Sequence, residues 1–267
     1  MKHLKKGDQF VVACIDSPAS ANAVIAAARH FAERLRDKQL MLMNVSPKEK
    51  AEWIKDYGIP YVAMQGDWAT AIEGLPTAFN AVLAVTAVDT SAPRSSITNP
   101  NTLLRTFRRC RIAYLAVPTH SEATKYQNAA LTVDYQRESK EKLIWASYLA
   151  RFLGAKLTIA TPQYRDAGLR ELQANNLRYI DKVFPPLGIT YNSERLDMTG
   201  GKFRTNPDWQ ALDTLHPDIL VARATDPRAT DPLDWIFGTS DRKLLSHPSH
   251  TPILFLNPRD DLYILCD

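Results

Sequence analysis

Glycine is scarce in this chain of 267 residues, which contains only 10, and none lies between Gly74 and Gly154. A loop that cradles phosphate needs glycine, because phosphate oxygens approach backbone N–H groups closely only where no Cβ intervenes. The long glycine-free interval therefore excludes a glycine-rich phosphate loop from the middle of the chain.

Cysteine is also scarce, and the apolar runs are short. Cys14, Cys110 and Cys266 lie far apart without a Cys-x-x-Cys pair, so the sequence contains neither a disulfide framework nor a zinc or redox motif. The apolar stretch from Phe10 to Ile15 is too short for a secretory signal, and no run approaches membrane-spanning length. These absences predict a cytoplasmic protein of a reducing compartment, with no membrane as partner.

Catalytic motifs and a strong charge of one sign are missing as well. The sequence has no Gly-x-Ser-x-Gly nucleophile elbow and no His-Glu-x-x-His helix. His247 and His250 have a metal-ligand spacing, but Pro248 breaks the helix that would align them, so we predict no metal site. The net charge of +4 is too small to indicate nucleic acid as a partner.

The chain does have enough apolar residues for a core, at 45% hydrophobic and 23% charged, and its length suits one large domain or two ordinary ones. An internal repeat favours two domains. With a shift of 118 residues, and without a gap, eight pairs of matching character align: Ile15–Val133, Asp16–Asp134, Ile25–Leu143, Ala28–Ala146, Phe31–Leu149, Ala32–Ala150, Leu35–Leu153 and Lys38–Lys156.

The two halves match again near their ends. The stretch "AVLAVTAVD" (81–89) resembles "DILVARATD" (218–226), and "RIAYLAVP" (111–118) resembles "TPILFLNP" (251–258). We place the boundary near Ser121, which divides the chain into a shortened first domain, residues 1–121, and a second domain, residues 122–267.

Within each half, short apolar runs alternate with amphipathic stretches. "FVVAC" predicts a strand that ends near Asp16, Ser17 can cap the following helix, and Pro18 suits its first turn. One apolar face recurs at helical spacing: Val24, Ala27, Ala28, Phe31 and Leu35. Strands alternating with helices predict parallel sheets covered on both faces, so the expected fold class is α/β, with two tandem doubly wound domains.

These features resemble the universal stress protein family in nearly the whole chain, twice. The resemblance is carried by a strand ending in Asp, a serine-containing turn, and a long helix ending in "AERL" or "ARFLGAKL". It implies a Rossmann-like sheet of the adenine nucleotide alpha hydrolase type, cytoplasmic residence, and pairing of domains through their last strands. "IAYLAV" and "ILFL" would then form an internal pseudo-dimer, while a homodimer and an unidentified protein partner stay open.

Some members of this family bind ATP, and the resemblance implies where the nucleotide would lie. The Asp that ends the first strand contacts the nucleoside, and a loop of spaced glycines followed by Gly-Ser or Gly-Thr holds the phosphates. In the second half this assigns Asp134, Gly238, Thr239 and Ser240 to ATP, ADP or AMP.

The upstream part of that loop has lost the pattern. The positions that the family pattern assigns to the earlier glycines are occupied here by Thr225 and Arg228. The surrounding stretch "ARATDPRATDPLDW" contains no glycine and two Asp-Pro pairs. Proline removes backbone donors, and Asp226 and Asp231 would repel a polyphosphate. Thr239 and Ser240 are equally typical of a helix start.

In the first half Pro100 and Asn101 replace the Gly-Ser pair, so the phosphate site there is expected to be lost. Asp16 is interpreted first as a side chain that organises the strand-to-helix turn and only second as a nucleoside contact. For Asp134 the two interpretations are equal.

The leading hypothesis is a non-catalytic stress-response or regulatory protein whose nucleotide binding is weak or lost. The alternative is an ATP-binding sensor or slow ATPase that uses the second domain only. An adenylating enzyme is not supported, because "DSPAS" and "DYQRES" lack the glycines of its first loop.

Overall fold

The computed structural model describes residues 7–46, 51–108, 110–121, 125–196, 212–224, 240–246 and 251–257. The strands in these ranges are β1 (Gln9–Cys14), β2 (Lys38–Ser46), β3 (Tyr61–Gln65), β4 (Ala81–Val88), β5 (Ala113–Pro118), β6 (Asn128–Thr132), β7 (Lys156–Pro162), β8 (Tyr191–Leu196), β9 (Ile219–Arg223) and β10 (Ile253–Leu256). The α-helices are α1 (Pro18–Arg34), α2 (Trp68–Ala78), α3 (Pro100–Phe107), α4 (Lys142–Tyr148), α5 (Ala167–Val183) and α6 (Ser240–Ser246).

The chain forms two compact units. The first comprises residues 1–124 together with 224–267, and the second comprises residues 125–223. The last strand, β10, which the sequence repeat assigns to the second half, therefore lies in the first unit. The boundary near Ser121 remains a prediction about the repeat.

In the first unit, β1 is the centre of a parallel sheet with the order β3-β2-β1-β4-β5. Cys14 is paired with Met43 on one side and with Thr86 on the other. Consecutive residues of β1, β4 and β5 are buried, as expected when a sheet is covered on both faces.

The second unit contains a parallel sheet with the order β9-β6-β7-β8. Its central strand β6 has β7 on one side and β9 on the other, as β1 has β2 and β4. In both units the chain reverses its direction of winding beside the central strand. The predicted α/β fold with mostly parallel, doubly wound strands is confirmed.

Helix α1 confirms the apolar face that the sequence periodicity predicts. It begins at Pro18, and all five residues of its predicted apolar face are buried. The predicted cap is wrong in one respect: Ser17 occupies the N-cap position, but its hydroxyl makes no capping bond. Instead the Ser17 carbonyl accepts from the Ser20 amide at 3.3 Å and from the Ser20 hydroxyl at 3.1 Å.

The corresponding helix of the second unit is irregular. It begins as a 3-10 turn (Arg137–Glu141), continues as α4, and widens into a π turn (Leu149–Leu153). Gly154 ends it with φ of 71°, a conformation that glycine adopts without strain. The first unit also contains a 3-10 turn, which covers Glu52–Tyr57.

The two strands that end the sequence repeats are paired with each other. β10 runs antiparallel to β5, with Leu254 opposite Leu115. The Tyr114 ring is stacked on Phe107 at 4.6 Å and on Phe255 at 5.1 Å between centroids. This ladder and its aromatic stack make β10 a sixth strand of the first unit. None of the described helices is both long and apolar enough to cross a lipid bilayer.

Candidate functional site

In doubly wound sheets, ligands bind at the carboxyl ends of the strands where the winding reverses. In the first unit this place lies between β1 and β4, and Asp16 follows β1 there. Asp16 Oδ1 accepts from the Ser20 hydroxyl at 3.3 Å, and Oδ2 accepts a short bond from the Ser96 hydroxyl. Both carboxylate oxygens are therefore engaged by the chain itself.

Ser96 comes from the segment between β4 and α3, which is bonded tightly to itself. The Asp89 amide donates to the Thr98 carbonyl at 2.9 Å, and the Thr98 amide donates to Ser96 Oγ at 3.0 Å. The Ser91 hydroxyl and amide donate to Asp89 Oδ1, and these bonds lower the pKa of Asp89. Ile97 is fully buried beneath them. This segment closes the place where a ligand of the first unit would lie.

In the second unit the equivalent place lies between β6 and β9, beside Asp134. This side chain is only 6% exposed. Its Oδ1 accepts from the Gln136 amide at 2.8 Å and from the Ser139 hydroxyl. Among the described residues no donor bonds to Oδ2, so one carboxylate oxygen remains available, in contrast to Asp16.

Two amide side chains of α5 hold the strand ends around Asp134. Gln173 Nε2 donates to the carbonyls of Val133 and Pro162 at 3.0 and 2.9 Å. One helical turn later, Asn176 Nδ2 donates to the carbonyls of Asp134 and Gln136 at 2.9 and 2.8 Å. These bonds tie α5 to the backbone that carries the carboxylate.

Four charged or polar side chains form a cluster next to Asp134, and of these Lys142 is buried and the others are half-buried. Lys142, at 3% exposure, donates from Nζ to Thr132 Oγ1 at 3.1 Å. Arg223 Nε lies 3.3 Å from Glu141 Oε2, with side-chain exposures of 19% and 7%. Burial lowers the pKa of Lys142; the neighbouring Asp134 raises it, Arg223 lowers it and Glu141 raises it, with burial the largest effect.

The first unit has no such charges in the same positions. The repeat shift of 118 aligns Lys142 with Val24, and Thr132 with Cys14. In the first unit Val11 is paired with Leu83, and in the second its repeat equivalent Ala129 is paired with Ile219. The sheets therefore make Leu83 the equivalent of Ile219, which differs by one residue from the alignment of the two sequences. By this register Ala87 is the equivalent of Arg223.

Sequence reasoning missed this cluster, although a signal was present. Val24 is fully buried on the apolar face of α1, and the repeat places a lysine at the equivalent position. A charged residue at a position whose repeat equivalent is buried and apolar is unusual in a core. Comparing the two halves position by position would have singled out Lys142.

Two tyrosines lie at the carboxyl ends of β6 and β7. The rings of Tyr135 and Tyr164 meet edge to face, with centroids 5.4 Å apart. The Tyr164 hydroxyl is buried and has no hydrogen-bond partner among the described residues, and burial raises its pKa. Aromatic faces beside Asp134 could stack on a planar ligand group.

The other predicted site residues are only partly described. Gly238 and Thr239 lie outside the described residues, and Ser240 is described only as the first residue of α6. Helix α6 belongs to the first unit, whereas Asp134 belongs to the second. Within the described ranges, no group of three or more His, Cys, Asp or Glu side chains could hold a metal ion.

Comparisons with known proteins bear on the fold. No protein-family model and no curated protein matches the sequence. A universal stress protein from Archaeoglobus fulgidus DSM 4304 is similar in structure, with a TM-score of 0.65 at 10% identity, over 94% of this chain and 97% of that one.

Two further structures are similar over almost their full lengths. A functionally unknown protein from Pseudomonas aeruginosa PAO1 has a TM-score of 0.62 at 14% identity, covering 96% of this chain and 95% of that one. The cytoplasmic domain of a prokaryotic cation chloride cotransporter has a TM-score of 0.56 at 13% identity, covering 96% and 99%. The chain therefore has the fold seen in universal stress protein structures.

Proposed function

We propose that this chain is a tandem universal stress protein, cytoplasmic and non-catalytic, that acts in stress response or regulation through binding or conformational change. Nucleotide binding is lost in the first unit and weak in the second. The observation that carries this proposal is the pair of Asp-terminated central strands, of which one carboxylate is engaged on both oxygens and the other on one.

The first unit supports the loss of binding there. A nucleoside could reach Asp16 only by displacing the hydroxyls of Ser20 and Ser96. The segment from Asp89 to Thr98 would have to unfold locally, at the cost of the bonds it makes with itself. The lack of any glycine in this interval adds to that cost.

The second unit supports weak rather than absent binding. Asp134 retains a free oxygen, and Tyr135 and Tyr164 supply aromatic faces next to it. The loop that follows β9 has no glycine before Gly238 and contains two Asp-Pro pairs. A nucleoside would therefore find more of its contacts than a triphosphate would.

A stability titration tests this proposal. A ligand at about 1,000 times its Kd stabilises the folded state by about 4 kcal/mol. We expect millimolar ATP with Mg²⁺ to raise the free energy of unfolding by less than about 1 kcal/mol, as for a Kd near or above the ligand concentration. Stabilisation approaching 4 kcal/mol in urea unfolding would contradict weak binding.

The alternative is an ATP sensor or slow ATPase that uses the second unit with Asp134, Gly238, Thr239 and Ser240. The free oxygen of Asp134 favours it. Nucleotide that copurifies with the protein, or steady release of phosphate from ATP that Asp134→Asn abolishes, would establish this function in place of the first.

The paired strands support an internal association of the two repeats. β5 ends the first repeat and β10 ends the second, and the two form one antiparallel ladder. In this pair β10 covers the edge of β5, so we propose an intramolecular pseudo-dimer, with a homodimer and a protein partner as further levels of assembly. Light scattering should give the mass of a single chain, 30.0 kDa, if the internal pairing suffices.

A further inference from the structure

We propose that Arg223 and Lys142 form a phosphate-binding site in the second unit, in which side-chain cations take the place of the lost glycine loop. The ligand class is a compound with a phosphate group, either a nucleoside monophosphate or free inorganic phosphate. This inference rests on the proposed function in one respect, namely that the second unit retains a residual ligand site.

The location is the first argument. Arg223 is the last residue of β9, and Lys142 bonds to Thr132, the last residue of β6. These are the two neighbouring strands between which the winding of the sheet reverses. A ligand of a doubly wound sheet lies outside the carboxyl ends of such strands.

The second argument is the unused donor capacity of Arg223. Only Nε makes a described hydrogen bond, to Glu141 at 3.3 Å. Among the described residues neither terminal nitrogen of this guanidinium has an acceptor. A planar guanidinium with two free nitrogens matches the bidentate geometry of phosphate oxygens.

The third argument is the unused donor capacity of Lys142, whose ammonium has three N–H donors and makes one described hydrogen bond. Its ammonium bonds to a neutral hydroxyl and forms no ion pair among the described residues, although the side chain is 3% exposed. A buried cation without a contacting anion is costly. Asp134 and Glu141 lie near enough to raise the pKa of Lys142, and a phosphate oxygen would accept from the ammonium hydrogens that have no described acceptor. Val24 shows that the fold itself can fill this position with an apolar side chain.

Glu141 sets the affinity. Its carboxylate lies at Arg223 Nε and would repel a phosphate bound to the same guanidinium. Removing that negative charge without changing the shape of the side chain should therefore tighten binding. If Glu141 had a purely structural role, removing its charge would weaken the folded state and would not tighten phosphate binding.

Calorimetric titration of the full chain with inorganic phosphate, AMP and adenosine tests the inference. We expect phosphate and AMP to bind, adenosine to bind at least tenfold more weakly than AMP, and Glu141→Gln to tighten both phosphate-bearing ligands several-fold. Arg223→Met should weaken them about tenfold or more, as expected for a lost charge-assisted bond. Lys142→Met should weaken them in the same direction.

The exposed pair Glu52–Lys55, with side-chain exposures of 84% and 55%, provides the matched control. Glu52→Gln removes a carboxylate from an ion pair far from the site in sequence and in the other unit, and should leave the affinities unchanged. If Arg223→Met does not fold, Glu141→Gln and Lys142→Met still decide the question.

The outcomes separate this inference from the proposed function. Tighter binding of AMP than of phosphate identifies a nucleotide as the ligand, and equal binding identifies free phosphate. If neither wild type nor Glu141→Gln binds phosphate or AMP, the inference is overturned while a non-catalytic protein remains. Sustained ATP hydrolysis by the wild type would overturn the proposed function instead, and the response to Arg223→Met would still decide the inference.

Discussion

Both units end their central strand next to an aspartate, but they surround it differently. In the first unit Asp16 is held by the hydroxyls of Ser20 and Ser96, over a core position filled by Val24. In the second, one oxygen of Asp134 has no donor within the described ranges, and Lys142 and Arg223 lie nearby. In the first arrangement serine hydroxyls donate to both carboxylate oxygens, and the second retains two cations, of which Lys142 is buried.

The two units share one fold but differ in how the aspartate after the central strand is bonded and in whether cations lie near it. Hydrogen bonds and apolar packing stabilise the first unit without a ligand, because both oxygens of Asp16 have partners within the chain. Buried cations with an incomplete set of partners reduce stability, and such features are typical of functional sites. This contrast is the reason for which the proposed ligand site lies in the second unit.

The largest effect should follow from transferring the charge between the units. Val24→Lys puts an ammonium at the position equivalent to Lys142, where Cys14 replaces the acceptor Thr132 and Asp16 has both oxygens engaged. Without a partner, the buried charge should lower the free energy of unfolding by about 3–5 kcal/mol. Urea unfolding measures the change.

Val24→Met is the control for this transfer, because it has a similar length and no charge. It should cost about 1–3 kcal/mol, as for a longer apolar side chain inserted into a packed core. Equal losses for the two variants would mean that side-chain shape, rather than charge, distinguishes the units.

Much of the fold could be predicted from sequence, because it depends on local patterns. Short apolar runs gave the strands, and the helical spacing of Val24 and Phe31 gave the buried face of α1. The bond from the Gln136 amide to Asp134 is local too, and is the kind expected of an aspartate that organises a turn.

The site could be predicted only in part, because its decisive contacts join distant residues. Ser96 lies 80 residues from Asp16, and Arg223 lies 82 residues from Glu141. No spacing rule connects such pairs before the strand order is known. Their proximity follows from the parallel order of the sheet, which brings the carboxyl ends of separate strands to one edge.

The next effect is the pH dependence that Lys142 gives to the second unit. Lys142→Met removes a charge whose pKa burial lowers from its ordinary value of 10.5, and should stabilise the protein by about 1–2 kcal/mol at neutral pH. Urea unfolding at a series of pH values measures this gain.

The sign follows from proton binding. Below the folded-state pKa, the lysine is protonated in both states and its full burial cost is present. Between that pKa and 10.5 the unfolded chain binds more protons, so the wild type gains stability as pH rises. The advantage of Lys142→Met should shrink across this window, and a constant advantage would contradict a buried ammonium.

A smaller effect should come from the hydroxyls that hold the aspartates. Ser96→Ala removes the bond that closes the first unit over Asp16, and should cost about 1 kcal/mol. It should also free one carboxylate oxygen there, which makes Asp16 more like Asp134. Unfolding in urea gives the cost, and titration with AMP shows whether the first unit regains any affinity.

Ser139→Ala is the matched variant in the second unit, because this hydroxyl bonds to Asp134 Oδ1 and also accepts from the Asp134 amide. Its cost should be similar to that of Ser96→Ala, since each hydroxyl donates to an aspartate and accepts from a backbone amide. A smaller cost would show that the closure of the first unit is the stronger of the two.

The smallest effect should occur at Thr86, beside Cys14 on the strand that flanks the first unit's central strand. Its hydroxyl is fully buried and has no partner among the described residues. Thr86→Val replaces it with a methyl group of similar shape and should change stability by no more than about 1 kcal/mol, in the stabilising direction. In the second unit Thr132→Val removes the acceptor of Lys142 and should destabilise instead. If Thr86→Val raises and Thr132→Val lowers the free energy of unfolding in urea, the threonine hydroxyl is dispensable in the first unit and required beside the lysine of the second. A loss of stability in both variants would contradict this difference between the two units.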